Sequence, residues 1–207
     1  MKLLLLPLIG FSLFANVFVE QTVQVTFDDN KHYYLSTIKE NKINIDGKEH
    51  KVKAKISPYA IFHSDFLEFK FPTELNFAYD NTQEKDGIRI WSLNGDNLSI
   101  VINEYNTIYP ESFLIKSIVE NYKKLQAQIT LKDITLPLSK TTLKGKRVIV
   151  KMGTYTIYQD VFVLYTKNKT YTFTIQDMIE ENKHSIEYLK VLELLEKTLV
   201  IKGLKQN

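Results

Sequence analysis

Three consecutive β-strands are encoded by residues 147–175, RVIVKMGTYTIYQDVFVLYTKNKTYTFTI. β-Branched and aromatic residues, which favour strands, make up most of this segment. Val148, Val150 and Met152 occupy alternate positions at its start, as expected for side chains that share one face of a strand. Gly153 and the polar run 167–169 interrupt the pattern where turns are needed. The segment therefore predicts a three-stranded antiparallel meander.

Two helices are predicted to flank this meander in the chain. Pro110 and Glu111 suit the first turn of a helix, and Leu114, Ile118 and Tyr122 then fall on one stripe. A second apolar stripe runs through residues 182–199. Helices that each present one apolar stripe need a sheet to cover. The expected fold class is α+β, an antiparallel sheet with helices packed on it.

The upstream half of the chain adds further predicted strands. Apolar and polar residues alternate through much of 22–56, which predicts a β-rich extension over residues 20–56. Within it, the dipeptide Asp46-Gly47 predicts a tight hairpin turn. An irregular stretch containing Pro58 and His63 is expected next. A second hairpin is predicted around Asn94, between strands 88–93 and 98–105.

The order of elements from residue 66 to 203 resembles that of the Mog1/PsbP-like family, which includes periplasmic DcrB-type proteins. The resemblance rests on an aromatic strand ending in proline, Phe69-Lys-Phe-Pro72, on the helix 110–125, on the strands 155–175 and on the final helix 182–199. It implies an α/β/α sandwich over 57–207. It also implies an accessory or binding role and carries over no catalytic residue. The length of the chain after residue 15 predicts a single domain, 16–207.

The first fifteen residues, MKLLLLPLIGFSLFA, have the layout of a secretory signal peptide. Lys2 precedes an apolar run, and Ala15 offers a cleavage site. Retention as an uncleaved membrane anchor is the alternative. No later segment is long and apolar enough to predict a transmembrane span after cleavage. Because the chain contains no cysteine, disulfides are excluded and a bacterial periplasmic location is favoured.

Composition argues against several functional classes. The formal net charge is only +3, and no concentrated basic stripe of the kind that binds nucleic acid is present. The seven glycines form no phosphate-binding motif. The four histidines lack metal-ligand spacing, and His63 with Asp65 is the only local cluster of catalytic residue types. The sequence predicts no catalytic site, metal site or cofactor.

Aromatic residues are the remaining functional signal, with twelve Tyr, twelve Phe and one Trp. Trp91, with Arg89 and Asp86 nearby in the chain, is the candidate binding patch, because Trp and Tyr bury large areas at interfaces. The leading hypothesis is a non-catalytic accessory protein of the envelope that acts through a protein partner. It requires an exposed aromatic or apolar patch.

Two alternatives stay open. A small-molecule or glycan binder requires a pocket between sheet and helix, expected to be lined by tyrosines. A hydrolase with dispersed catalytic residues requires a histidine that meets a carboxylate or hydroxyl in space.

Overall fold

The computed structural model describes residues 22–26, 32–36, 40–55, 57–179, 181 and 183–202. Contacts divide the chain into two compact units, Met1–Ser57 and Pro58–Asn207. Antiparallel strands dominate and two α-helices accompany them, which confirms the predicted α+β class. Within the described residues, neither of the two helices has both the length and the apolar character needed to cross a membrane.

The described part of the first unit consists of two antiparallel hairpins, β1 (Thr22–Thr26) with β2 (His32–Ser36) and β3 (Asn41–Ile45) with β4 (Lys48–Val52). The turn between β3 and β4 is the predicted Asp46-Gly47. Both residues have positive φ angles, 52° and 77°, as a type I′ turn requires. Leu35 and Ile43 are buried.

The second unit contains the remaining elements: β5 (Tyr59–His63), β6 (Leu67–Pro72), β7 (Asn76–Asp80), a 3-10 turn (Glu84–Asp86), β8 (Ile88–Asn94), β9 (Leu98–Tyr105), α1 (Glu111–Lys124), β10 (Gln128–Pro137), β11 (Thr142–Met152), β12 (Tyr155–Tyr165), β13 (Thr170–Ile179), α2 (Ile186–Thr198) and β14 (Val200–Ile201). Seven strands form one antiparallel sheet in the order β10-β11-β12-β13-β9-β8-β7. Three others form a small sheet in the order β14-β6-β5.

The main core lies between the seven-stranded sheet and a layer formed by the small sheet and α2. Phe69 of β6 and Phe173 of β13 meet edge-on across it, with ring centroids 5.6 Å apart. Both side chains are at most 1% exposed. Burying a large side chain of this kind contributes about 1.5–3 kcal/mol.

A second, smaller core lies on the opposite face of the seven-stranded sheet. Ile115 of α1 packs there with Val148 and Val150 of β11, whereas Phe162 of β12 faces the main core and its neighbour Val161 faces the second. This alternation follows from the two-residue period of a strand. The two helices therefore cover opposite faces of the sheet.

Each helix begins as its local sequence dictates. Pro110, in an extended conformation with φ −60° and ψ 142°, precedes α1, and Glu111 places negative charge in the first turn. Ser185 caps α2, because its hydroxyl accepts the backbone N–H of Tyr188 at 3.1 Å.

Three strands were not predicted, β5, β7 and the two-residue β14, and one prediction is wrong. The stretch around Pro58 and His63, expected to be irregular, contains β5. Strand β7 forms at residues 76–80, which were not predicted to be a strand although Phe77 and Tyr79 alternate with smaller or polar residues there. The predicted meander is present as β11–β13, and β10 extends it at one side.

Candidate functional site

Strand β7 is the outer strand of the seven-stranded sheet and exposes two aromatic side chains. Phe77 is 55% exposed and Tyr79 is 44% exposed. Pairing with β8 places Phe77 beside Leu93 and Tyr79 beside Trp91, on the core-facing side of the sheet. Leu93 is buried in the main core, whereas Phe77 and Tyr79 lie one strand farther out. We call Phe77, Tyr79 and Trp91 the aromatic cluster.

The aromatic cluster is anchored to the core through Trp91. The ring of Tyr79 stacks on that of Trp91, with centroids 5.7 Å apart and an interplanar angle of 21°. Phe62, a buried residue of β5, meets the same indole edge-on at 6.1 Å. Such aromatic pairs contribute about 0.5–1.5 kcal/mol beyond the area that they bury. The cluster is therefore positioned before any partner arrives.

Arg89, a predicted binding residue, lies two positions from Trp91 on the same face of β8. Its guanidinium donates to Glu84 at 2.8 Å and lies 3.7 Å from Glu104. The hydrogen bond to Glu84 raises the pKa of Arg89. Because its charge is compensated within the chain, Arg89 is a supporting residue of this surface rather than a free cation.

Glu104 is the buried end of this charge group, at 6% exposure. Lys169 of the β12–β13 turn donates to its carboxylate at 2.7 Å. Burial, and then the charge of Glu104, raises the pKa of the Tyr171 hydroxyl. A buried carboxylate needs partners of this kind to stay ionised. The group thus joins β8, β9 and β13 beneath the surface.

Asp86, the third predicted binding residue, is not brought together with Trp91 and Arg89. It ends the 3-10 turn, is exposed, and donates its backbone N–H to Gln83 at 2.9 Å. It belongs instead to a set of exposed acidic side chains on either side of β7 in the chain, with Glu74 and Asp80.

A second polar cluster lies where α2 begins, and no sequence pattern predicts it. His184 Nδ1 is 2.6 Å from Oδ2 of Asp177 on β13. The backbone N–H of Ser185 donates to the same carboxylate at 3.3 Å. The ring of His184 stacks on that of Tyr188, with centroids 4.2 Å apart. The buried carboxylate therefore holds the loop that leads into α2.

Tyr188 connects this cluster to an ion pair between β11 and β12. Arg147 donates to both oxygens of Asp160, at 2.6 and 2.8 Å. The Tyr188 hydroxyl donates to Asp160 at 2.7 Å and accepts from Arg147 at 2.8 Å. The bond to Asp160 raises the pKa of Arg147, and burial, followed by the charge of Asp160, raises that of Tyr188.

The pairing of His184 with Asp177 is the arrangement that orients a general base. Acyl transfer also needs a nucleophile. The hydroxyl of Ser185 caps α2, and that of Tyr188 bonds to Asp160. The ring of Tyr158 also meets that of His184 edge-on, with centroids 5.4 Å apart. His63 contacts Glu68, at 2.7 Å. Two histidines thus meet carboxylates, as the hydrolase alternative requires.

A groove of about 610 Å³ separates α1 from β10, the position that the small-ligand alternative requires. Its floor is apolar, with Ile115, Val119 and Leu131, and its rim carries three lysines and two glutamates: Lys116, Lys123, Lys146, Glu111 and Glu120. Lys123 is paired with Glu120, and Lys146 with Asp133. The expected tyrosine lining is not found. Within the described residues, no group of three or more acidic or histidine side chains is arranged to hold a metal ion.

A register argument could have found the Arg147–Asp160 pair. Gly153 and Thr154 form a two-residue turn between β11 and β12, and such a turn fixes which residues lie opposite each other. The exposed strand β7 and the contact of His184 with Asp177 depend on tertiary packing instead, and no local signal identifies them. A comparison of the chain with known protein families and with curated proteins found no match.

Proposed function

We propose that this chain is an exported, non-catalytic accessory protein of the bacterial envelope that binds a protein partner through the aromatic cluster. The observation that carries the proposal is the exposure of Phe77 and Tyr79 on an outer strand, backed by an anchored Trp91. Contiguous aromatic surface on a folded protein marks interaction sites.

A protein partner fits this surface better than a small molecule does. Phe77 and Tyr79 of the cluster lie on a strand whose five residues are all exposed, and Trp91 lies half-buried on the next strand. Small ligands are bound in clefts that enclose most of their surface. A broad surface with aromatic anchors is typical of protein interfaces.

Export and family membership belong to the same proposal. The leader-like segment 1–15 and the absence of cysteine support the periplasm. The element order, with α1 and α2 on opposite faces of an antiparallel sheet, is compatible with the Mog1/PsbP-like fold. Fold-level likeness alone would support function only by analogy.

The test is native mass spectrometry of the protein gently purified from its own envelope fraction. A protein adduct is expected for the natural chain and is expected to be lost in Phe77→Ser and Tyr79→Ser. Leu131→Ser is the matched control, since Leu131 is similarly exposed, at 48%, on the opposite outer strand β10. A partner that survives both aromatic substitutions would contradict the proposal.

The second candidate function is small-ligand binding in the groove between α1 and β10. The apolar floor favours an amphiphile. Lys116 on the rim would meet an acidic group on it, because Lys123 and Lys146 are already held by carboxylates of this chain. In the same measurement this function predicts an excess mass of a few hundred daltons. That excess should disappear in Leu131→Ser and remain in Phe77→Ser, which reverses the pattern expected for a protein partner.

A further inference from the structure

We propose that the partner contributes an extended segment with basic ends, which pairs with β7 as an eighth strand of the large sheet. This inference rests on the proposed function and specifies how the partner binds. It is carried by three properties of β7: its open edge, the spacing of its aromatic side chains and the charge around it.

The outer edge of β7 is open. Residues 76–80 pair with β8 on one side, and among the described residues no other backbone group bonds to their backbone, although Thr82 donates its N–H to the side chain of Asp80 at 2.8 Å. Such an edge presents a row of backbone N–H and C=O groups that can pair with another strand. Strand addition of this kind is a general mode of peptide recognition.

The opposite edge of the sheet shows what a protected edge looks like in the same protein. Strand β10 carries the adjacent charges Lys132 and Asp133 and ends at Pro137, all features that discourage pairing. Asp133 is itself held by Lys146 of β11. Strand β7 has neither proline nor an internal charge, and only Asp80 at its end is charged.

The aromatic spacing suits an added strand. Phe77 and Tyr79 are two residues apart and therefore share one face of β7. A neighbouring strand would lie about 4.8 Å away. Its alternate side chains on that face would then contact the two rings directly, and β-branched residues pack well against aromatic ones in such cross-strand pairs.

Charge favours a basic segment over a second copy of this chain. At the end of β7, exposed Asp80 and Asp86 stand against Lys85, while Glu84 is already paired with Arg89. Glu74, which precedes β7, lines a hollow together with Lys190 and Lys197. The chain as a whole is positive, at +3. Two copies paired through β7 would bring these acidic groups together, and like charges across an interface disfavour association.

The experiment uses the full chain and a short synthetic peptide of alternating valine and threonine with lysine at each end. Trp91 is the only tryptophan, so its fluorescence reports binding at the cluster. Binding to the natural chain is expected, with affinity reduced about tenfold or more in Phe77→Lys, which corresponds to about 1.4 kcal/mol. Leu131→Lys on β10 is the control and should bind normally. Amide exchange should show new protection at residues 76–80.

Two altered peptides distinguish backbone pairing from non-specific hydrophobic binding. N-methylation of alternate amides should abolish binding, and glutamate in place of the terminal lysines should weaken it. Absence of binding, equal binding to Phe77→Lys, or insensitivity to N-methylation would overturn strand addition. If the natural chain forms concentration-dependent dimers that are lost in Phe77→Lys, strand addition by a partner is also overturned, in favour of a second copy of this chain. If the partner of the envelope fraction still requires Phe77 when the peptide fails, the proposed function stands and this inference falls.

Discussion

His184 Nδ1 lies 2.6 Å from Oδ2 of Asp177, and the side chain of Asp177 has no exposed surface. The same carboxylate accepts the backbone N–H of Ser185, the residue that caps α2. One buried side chain on β13 thus fixes both the loop and the start of the helix that covers the main core. The contact therefore stabilises the loop before α2 and the start of that helix.

Replacing Asp177 by alanine is therefore expected to lower the free energy of unfolding by about 2–4 kcal/mol, since it leaves Ser185 N–H and His184 without their acceptor. Urea denaturation measures the loss, and amide exchange should localise it to α2. Asp86→Ala, at an exposed site, should change stability by less than about 0.5 kcal/mol. Equal losses of stability in the two variants would show that Asp177 does not stabilise the start of α2.

Local patterns predicted those elements whose local and tertiary preferences agree. Asp46-Gly47 supplies both positive φ angles of its turn. Pro110 marks the start of α1, although it lies just before Glu111 and not within the first turn as predicted. Strand β7 shows no buried/exposed alternation because it lies at the sheet edge, with both faces open. Strand β5 follows Pro58, whose turn signal masks the start of a strand. These two strands form through pairing with β8 and β6, which single-sequence periodicity does not report.

The candidate site was predictable to the same limited extent. Trp91 and Arg89 share a face of β8 because they are two residues apart, and the sequence places both on one strand. Asp86 is close in the chain but lies in a 3-10 turn, where proximity in sequence does not place it on that face. Tyr79, the residue that stacks on Trp91, comes from the unpredicted strand β7. The sequence therefore could not identify the residue that stacks on Trp91, because that depends on which strands pair in the sheet.

Tyr188 should make stability sensitive to alkaline pH. Burial raises its pKa in the folded protein, whereas the unfolded chain ionises its tyrosines near about pH 10. Above that pH the unfolded state binds fewer protons than the folded state, so the free energy of unfolding falls as pH rises. In Tyr188→Phe the free energy of unfolding should fall less steeply as pH rises. At neutral pH the variant should be less stable by about 1–3 kcal/mol, because the hydrogen bonds of the hydroxyl are lost.

Urea denaturation of both proteins between about pH 8 and pH 11 measures the two slopes. Tyr155→Phe is the matched control, because Tyr155 is 61% exposed. It should retain the slope of the natural chain. Identical slopes for the natural chain and Tyr188→Phe would contradict the role given to burial.

Gly145 of β11 has no room for a side chain. A Cβ there would lie 2.5 Å from the carbonyl oxygen of Val161 and 2.7 Å from a ring carbon of Phe162. Because one neighbour is backbone, relief would require the β11–β12 pairing to shift. Gly145→Ala is expected to cost about 1–3 kcal/mol in the free energy of unfolding. Lys144→Ala, at the exposed neighbouring position, should be nearly neutral, and similar values for the two variants would refute the packing argument.

Removing Tyr79 should change the surroundings of Trp91 without disturbing the core. The phenol ring shields one part of the indole, and Phe62 continues to hold it from β5. Tyr79→Ala is therefore expected to move Trp91 emission to longer wavelength, to increase quenching by acrylamide, and to lower stability by only about 0.5–1.5 kcal/mol. Tyr155→Ala, on β12, should leave the emission unchanged. Because the fold survives in this variant, any loss of partner binding that accompanies the spectral change can be assigned to the aromatic cluster itself, whereas an unchanged emission would mean that the stack on Trp91 does not form in solution.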